Sequence, residues 1–110
     1  MVEKVHLDDA ETAFVTYGAS ARPTEAAVQR AREEKKKVGM LRLKLVWPFP
    51  IKEIRKLAEQ VEKIIVPEMN LGQIVHPVRE YAEGKCEVIS APKVGGEMHT
   101  VEEVYRYIEG

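Results

Sequence analysis

The chain has 110 residues and a mass of 12.5 kDa, which fits one domain with a single hydrophobic core. Its 17 Lys and Arg residues nearly balance 18 Asp and Glu residues, and the two signs are interspersed, so the charge pattern does not favour nucleic-acid binding. The single cysteine, Cys86, excludes an intrachain disulfide, and no apolar run approaches the roughly 20 residues of a membrane-spanning helix. We therefore expect a cytoplasmic protein with neither nucleic acid nor membrane as a partner.

The first third of the sequence contains two strand patterns and one helix pattern. Residues 2–7 alternate apolar and polar side chains, as an edge strand or an ordered arm does. Residues 13–17 form a continuous apolar run typical of a strand buried on both faces. A small-residue turn begins at Gly18, and Pro23 suits the first turn of a helix that should end near Lys37.

The next predicted strand spans residues 38–45. Alternation places three leucines on one face, namely Leu41, Leu43 and Leu45. Arg42 and Lys44 occupy the opposite face, which predicts a position less buried than that of the preceding strand.

The remainder of the chain continues the alternation of helices and strands. Apolar residues recur with helical spacing over residues 51–61, and a third core strand begins at residue 64. The apolar stripe of another helix follows over residues 71–82, and Pro77 within it implies that this helix is kinked or starts late. After a short strand over residues 86–89, Thr100 and Glu103 make a capping box ahead of a closing helix.

This alternation predicts a three-layer α/β/α sandwich with a mostly parallel sheet and right-handed crossovers. If the strands that begin at residues 38 and 64 flank the strand over residues 13–17, a crevice opens between the loops at Gly18 and Glu68. Ligands and partners gather at such switch points.

Candidate functional residues concentrate in those two loops. Glu68 follows a strand, with the amides Asn70 and Gln73 nearby, and can bind a cation, accept hydrogen bonds or cap the next helix. Gly18 and Ser20 lie at a helix start that could hold a phosphate, although a tight turn explains them as well. A ligand-binding role and a purely structural role both stay open for each loop.

Two aromatic residues that each precede a proline, Trp47 and Phe49, form a further candidate. They are either plugs of the hydrophobic core or exposed anchors for a partner. The three histidines are too scattered for a metal motif, no serine lies in a nucleophile elbow, and Cys86 falls in a strand pattern. We therefore expect neither a catalytic residue nor a metal ligand in this chain.

Four segments in order carry a family resemblance: residues 11–18 (ETAFVTYG), 38–50 (VGMLRLKLVWPFP), 65–73 (IVPEMNLGQ) and 94–100 (VGGEMHT). They resemble the C-terminal domain of the α subunit of 2-oxoacid:ferredoxin oxidoreductases, with the 2-oxoglutarate type favoured. The resemblance implies the transketolase C-terminal-like fold over residues 1–110, a mixed five-stranded sheet with one antiparallel edge strand. Residues 1–8 supply that strand or an arm.

The resemblance also implies a role in an assembly. Such enzymes oxidatively decarboxylate a 2-oxoacid, reduce ferredoxin and release an acyl-coenzyme A. Thiamine diphosphate and magnesium are held mainly by other domains of the family, and iron–sulfur clusters by cysteines that this sequence does not contain. We therefore expect an assembly domain that binds no cofactor alone and is inactive alone. Its partners would be the remaining subunits and, through the complex, ferredoxin and coenzyme A, with the Gly18 and Glu68 loops facing the assembly.

Two alternatives remain open at this point. One is a free-standing module that binds an anion or a nucleotide between Gly18, Ser20, Asn70 and Gln73. The other is a homodimer joined through the turn that contains Trp47 and Phe49.

Overall fold

Five strands form one sheet in this chain, whose computed structural model describes residues 2–45, 47–68, 74–92 and 99–109. The strands are β1 (Val2–Val5), β2 (Thr12–Tyr17), β3 (Val38–Leu43), β4 (Lys63–Glu68) and β5 (Glu87–Pro92). The α-helices are α1 (Ala21–Glu33), α2 (Ile51–Gln60), α3 (Val75–Ala82) and α4 (Val101–Glu109). A 3-10 turn, Gly18–Ser20, joins β2 to α1.

The strand order is β1-β3-β2-β4-β5. β1 pairs antiparallel with β3, and the pairs β2–β3, β2–β4 and β4–β5 are parallel. The sheet is therefore mixed, with an antiparallel edge strand, as the sequence predicts. β2 lies between β3 and β4, so the predicted switch point is confirmed.

Helices cover both faces of this sheet. Side chains of β2 alternate, with Val15 facing α2 and α3 while Phe14 faces α1 and α4. On the first side α2 and α3 contribute Ile54, Leu57, Ala58, Val75, Val78 and Ala82. On the second side α1 and α4 contribute Ala27, Val28, Ala31, Val104 and Tyr105. This arrangement confirms the three-layer architecture.

The expectation that β3 is less buried than β2 is wrong. Five of its six residues are buried, because β1 pairs with its outer edge and Arg42 alone is exposed. Leu45, which the alternation assigns to the core face, lies beyond the end of β3 and is exposed. Alternation has no structural meaning once the strand has ended.

Several element boundaries also differ from the prediction. α1 begins two residues before Pro23 and ends at Glu33 instead of near Lys37, because Lys35 adopts a left-handed conformation with φ 65°. β5 extends over Glu87–Pro92, which leaves Cys86 just outside it. Pro77 lies in the first turn of α3, so its late start is confirmed.

The capping box of α4 is confirmed in both directions. The backbone N–H of Glu103 donates to Thr100 Oγ1 at 3.1 Å, and the N–H of Thr100 donates to Glu103 Oε1 at 2.9 Å. Two amide groups at the helix start are thereby satisfied by side chains.

Gly39 marks the place where the chain leaving β1 crosses β3. A Cβ atom at this position would lie 2.5 Å from the carbonyl oxygen of His6 and 2.8 Å from a methyl carbon of Leu7. The Arg32 guanidinium also donates to the His6 carbonyl, at 2.8 Å, and so holds the same crossing from the other side. Only a glycine permits this approach.

We expect Gly39→Ala to destabilise the fold by about 1–3 kcal/mol, the usual cost of forcing an extra group into a packed interior. Urea denaturation followed by circular dichroism measures the change. An unfolding midpoint equal to that of the unmodified chain would contradict this prediction, because it would show that the added methyl group is accommodated without loss of stability.

Candidate functional site

The carboxyl ends of β2, β3 and β4 lie along one edge of the sheet. The β2–β3 ladder continues to the pair Tyr17–Leu43, whereas the β2–β4 ladder joins three pairs and ends at Phe14–Ile65. β2 and β4 both continue for three residues beyond that last pair. Ladder pairing between β2 and β4 therefore stops short of this edge, where Glu68 ends β4 and Gly18 follows β2.

Glu68 is the last residue of β4, and its side chain is only 5% exposed. Its Oε1 accepts a hydrogen bond from the backbone N–H of Ile74, and its Oε2 accepts one from Val75, each at 3.0 Å. Both carboxylate oxygens thus bind amides at the start of α3, where a negative charge also complements the helix dipole. Of the roles that the sequence leaves open, the structure shows the cap.

This cap joins two elements that are separated along the chain. The bonds link the end of β4 to the first turn of α3, across a segment of residues 69–73. The candidates Asn70 and Gln73 belong to that segment and lie outside the described residues.

The turn after β2 uses its own polar groups. Gly18 adopts φ +71°, which glycine tolerates best, and starts the 3-10 turn. The buried Ser20 hydroxyl donates to the Tyr17 carbonyl at 3.3 Å, and the Thr24 hydroxyl donates to the Ser20 carbonyl at 2.7 Å. These hydroxyls are bonded to the backbone, which supports the tight-turn interpretation.

A shallow cavity borders Gly18 on the β3 side of β2. It is lined by Tyr17, Gly18, Arg42, Leu43 and Lys44. Glu68 ends β4, on the opposite side of β2, and does not line this cavity.

The two aromatic candidates have different environments. Phe49 is 8% exposed and stacks on Tyr81 with ring centroids 5.8 Å apart, within the core beneath α2 and α3. Trp47, two residues earlier, is 78% exposed. The turn therefore buries one ring and presents the other to solvent.

Two further apolar side chains at this edge are exposed, and sequence reasoning missed both. Tyr17 ends β2 and is 45% exposed, while Leu45 lies just after β3 and is 52% exposed. In the sequence both belong to strand-like apolar runs. The signal that could have found them is their position at strand ends, where the sheet no longer covers side chains.

Two buried polar atoms in the described part of the chain have no hydrogen-bond partner, namely Thr16 Oγ1 and His99 Nδ1. His99 Nε2 bonds the Ala91 carbonyl at 2.7 Å, and because a carbonyl only accepts, Nε2 carries the proton. Both unpartnered atoms are closed to solvent, so neither belongs to an open binding site.

The described residues present no group of three or more His, Cys, Asp or Glu side chains placed to hold a metal ion. Burial raises the pKa of the Cys86 thiol, so the protonated form prevails at neutral pH. In the ranges that the structure covers, no helix has the length and apolar character needed to cross a membrane.

Comparison with known proteins gives a consistent assignment. The family described as pyruvate:ferredoxin oxidoreductase core domain II matches residues 10–104. A 2-oxoglutarate synthase subunit KorA from Methanothermobacter marburgensis is 42% identical over 109 residues, which cover 99% of this chain and 29% of that subunit. The chain thus spans less than a third of that curated relative.

Two solved structures share the fold. A 2-oxoglutarate:ferredoxin oxidoreductase from Magnetococcus marinus, with 2-oxoglutarate, coenzyme A and succinyl-CoA bound, superimposes with a TM-score of 0.87 at 29% identity. The match covers 99% of this chain and 19% of that one. A split-gene transketolase, described as an inactive beta4 tetramer, gives a TM-score of 0.82 at 13% identity over 97% of this chain and 40% of its own. The transketolase C-terminal-like fold is confirmed.

We expect Glu68→Ala to lower the free energy of unfolding by about 1.5–3 kcal/mol, because two amides lose an ionised acceptor. Glu68→Gln keeps one acceptor oxygen and should cost less. Denaturant unfolding measures both, with Glu80→Ala, an exposed change on α3, as the matched control. Equal stability of the Glu68→Ala and Glu80→Ala variants would contradict the capping role.

Proposed function

Because the chain belongs to the pyruvate:ferredoxin oxidoreductase core domain II family, we propose that residues 1–110 form an assembly domain of a 2-oxoacid:ferredoxin oxidoreductase α subunit. The complete enzyme would oxidatively decarboxylate a 2-oxoacid to an acyl-coenzyme A and pass the electrons to ferredoxin. The domain contributes shape and contact surface to that enzyme and no reacting group of its own.

The observation that carries this proposal is that the Glu68 carboxylate caps α3. It is the one carboxylate that the sequence singles out at the switch point, and both of its oxygens bind backbone amides of the same fold. A carboxylate held in this way stabilises the edge of the sheet. Because Glu68 is also only 5% exposed, its carboxylate is placed to hold α3 and not to meet a substrate.

The described residues do not fit a site for thiamine diphosphate and magnesium. Magnesium needs a set of oxygen ligands, often carboxylates, and no such cluster occurs in the described residues. The hydroxyls at the start of α1 are bonded to the backbone. We therefore assign the diphosphate, its metal ion and the iron–sulfur clusters to the other parts of the enzyme.

The relatives support the choice of partners and substrate. The matched relative from Methanothermobacter is a subunit more than three times as long as this chain, so the proposed partners are the rest of such a subunit and its companion subunits. Ferredoxin and coenzyme A would be met through the complex. The relatives at 42% and 29% identity are both named for 2-oxoglutarate, which favours that 2-oxoacid, and the proposed location is the cytoplasm.

The purified chain alone should show no oxidation of 2-oxoglutarate when thiamine diphosphate, magnesium, coenzyme A and ferredoxin are supplied. Co-expression with the rest of the α subunit and with the remaining subunits should yield a complex that contains the chain and forms succinyl-coenzyme A. The control is the same set of subunits without this chain, which should be inactive. Activity of the chain by itself, or full activity without it, would overturn the proposal.

The β2–β4 ladder ends at Phe14–Ile65, short of Gly18, and this favours one alternative, a free-standing module that binds an anion or a nucleotide beside Gly18. Calorimetry of the isolated chain with nucleotides, coenzyme A and thiamine diphosphate separates the two functions. The assembly domain should give no heat of binding. Micromolar affinity that Ser20→Ala weakens would favour the module.

A further inference from the structure

We propose that Tyr17, Leu45 and Trp47 form one docking surface, here called the carboxyl-edge patch, which seats on the rest of the oxidoreductase α subunit. The inference rests on the proposed function and goes beyond it by naming the contact surface and the chemistry of its partner. The partner surface would be an apolar recess bordered by carboxylates.

The three side chains lie together at one edge of the sheet. Tyr17 ends β2 and is paired in register with Leu43, the last residue of the parallel strand β3. Leu45 and Trp47 come two and four residues after Leu43, in the segment that leaves β3 at this edge. Among the described residues these three are the exposed large hydrophobic side chains. Exposure of this kind is therefore confined to one edge of the described structure.

Exposed apolar side chains of this kind are unfavourable in water, and a partner that covers them removes that cost. A single exposed apolar residue is ordinary, whereas neighbouring exposed apolar residues that include a tryptophan and a tyrosine mark contact surfaces. Tryptophan and tyrosine are also enriched among the residues that contribute most to binding. Phe49, anchored in the core against Tyr81, fixes the turn from which Trp47 projects.

The charges around the patch indicate the partner's chemistry. Arg42 and Lys44 line the cavity that Tyr17 borders. Arg42 approaches Glu3 at 3.5 Å, while Lys44 makes no ion pair with the described residues. A cationic border of this kind favours a partner that supplies Asp or Glu side chains.

The length of the relatives identifies the occupant. This chain covers 29% of the curated relative and 19% of the Magnetococcus chain, so most of each polypeptide lies outside the matched segment. A domain of such a polypeptide has the rest of that polypeptide beside it, and interfaces between domains of one chain typically cover roughly 600–1,500 Å². The rest of the α subunit is accordingly assigned to the patch, in preference to a second copy of this chain.

Trp47 is the chain's only tryptophan, which makes the patch directly observable. A fluorinated tryptophan incorporated into this chain gives one fluorine NMR resonance, which should shift when the unlabelled rest of the α subunit is added as a separate chain. The same resonance measured over a range of concentrations of the chain alone reports self-association. A shift with concentration alone, together with a dimer in sedimentation, would overturn the assigned occupant.

Variants test the surface without relying on one side chain. Trp47→Ser, Leu45→Ser and Lys44→Glu should each raise the dissociation constant for the rest of the α subunit about tenfold or more. Lys52→Glu, the same charge reversal at an exposed position on α2, is the matched control and should bind as the unmodified chain does. Circular dichroism verifies that each variant is folded.

The outcomes separate the two levels of inference. If the unmodified chain assembles and all three patch variants assemble equally well, the patch is wrong while the assembly function stands. If the unmodified chain does not assemble at all, the proposed function fails and the patch fails with it. Loss of binding by the patch variants, but not by Lys52→Glu, supports both.

Discussion

Burial of β2 on both of its faces is the constraint on which this structure depends. Phe14 and Val15 are fully buried and point to opposite helix layers, so neither layer can be removed without exposing the central strand to water. β3 and β4 occupy its two sides, which places consecutive crossovers in opposite directions along the sheet. The switch point, and with it the position of every candidate residue, follows from that placement.

At the switch point, the polar groups serve the fold and the apolar groups face outward. Glu68 and Ser20 are ligand candidates in the sequence, but in the structure both form hydrogen bonds with nearby backbone groups. Trp47, for which the sequence leaves both a core position and an exposed one open, faces solvent. This inversion of the usual arrangement fits a domain whose edge is completed by another part of a larger protein better than it fits a self-sufficient binding site.

Local signals were sufficient to predict much of the fold. The capping box at Thr100 and the late start of α3 at Pro77 each depend on residues within a few positions of one another. The burial of β3 could not be predicted in the same way, because it depends on β1, a strand some 35 residues earlier in the chain, as the pairing of Lys4 with Leu41 shows. The sequence allows Glu68 to be a cap, but only the structure places Ile74 and Val75 against it.

The antiparallel pairing of β1 with β3 has a consequence for the behaviour of the chain in solution. β3 consists almost entirely of buried apolar residues, and an uncovered strand of that kind is a template for pairing with another molecule. β1 is only four residues long and carries Glu3 and Lys4 on its exposed surface, features that discourage further strand addition. The close approach of Gly39 to His6 lies directly beyond the last pair of this ladder, Val5–Met40. The amino-terminal strand thus protects the β3 side of the sheet from edge-to-edge aggregation.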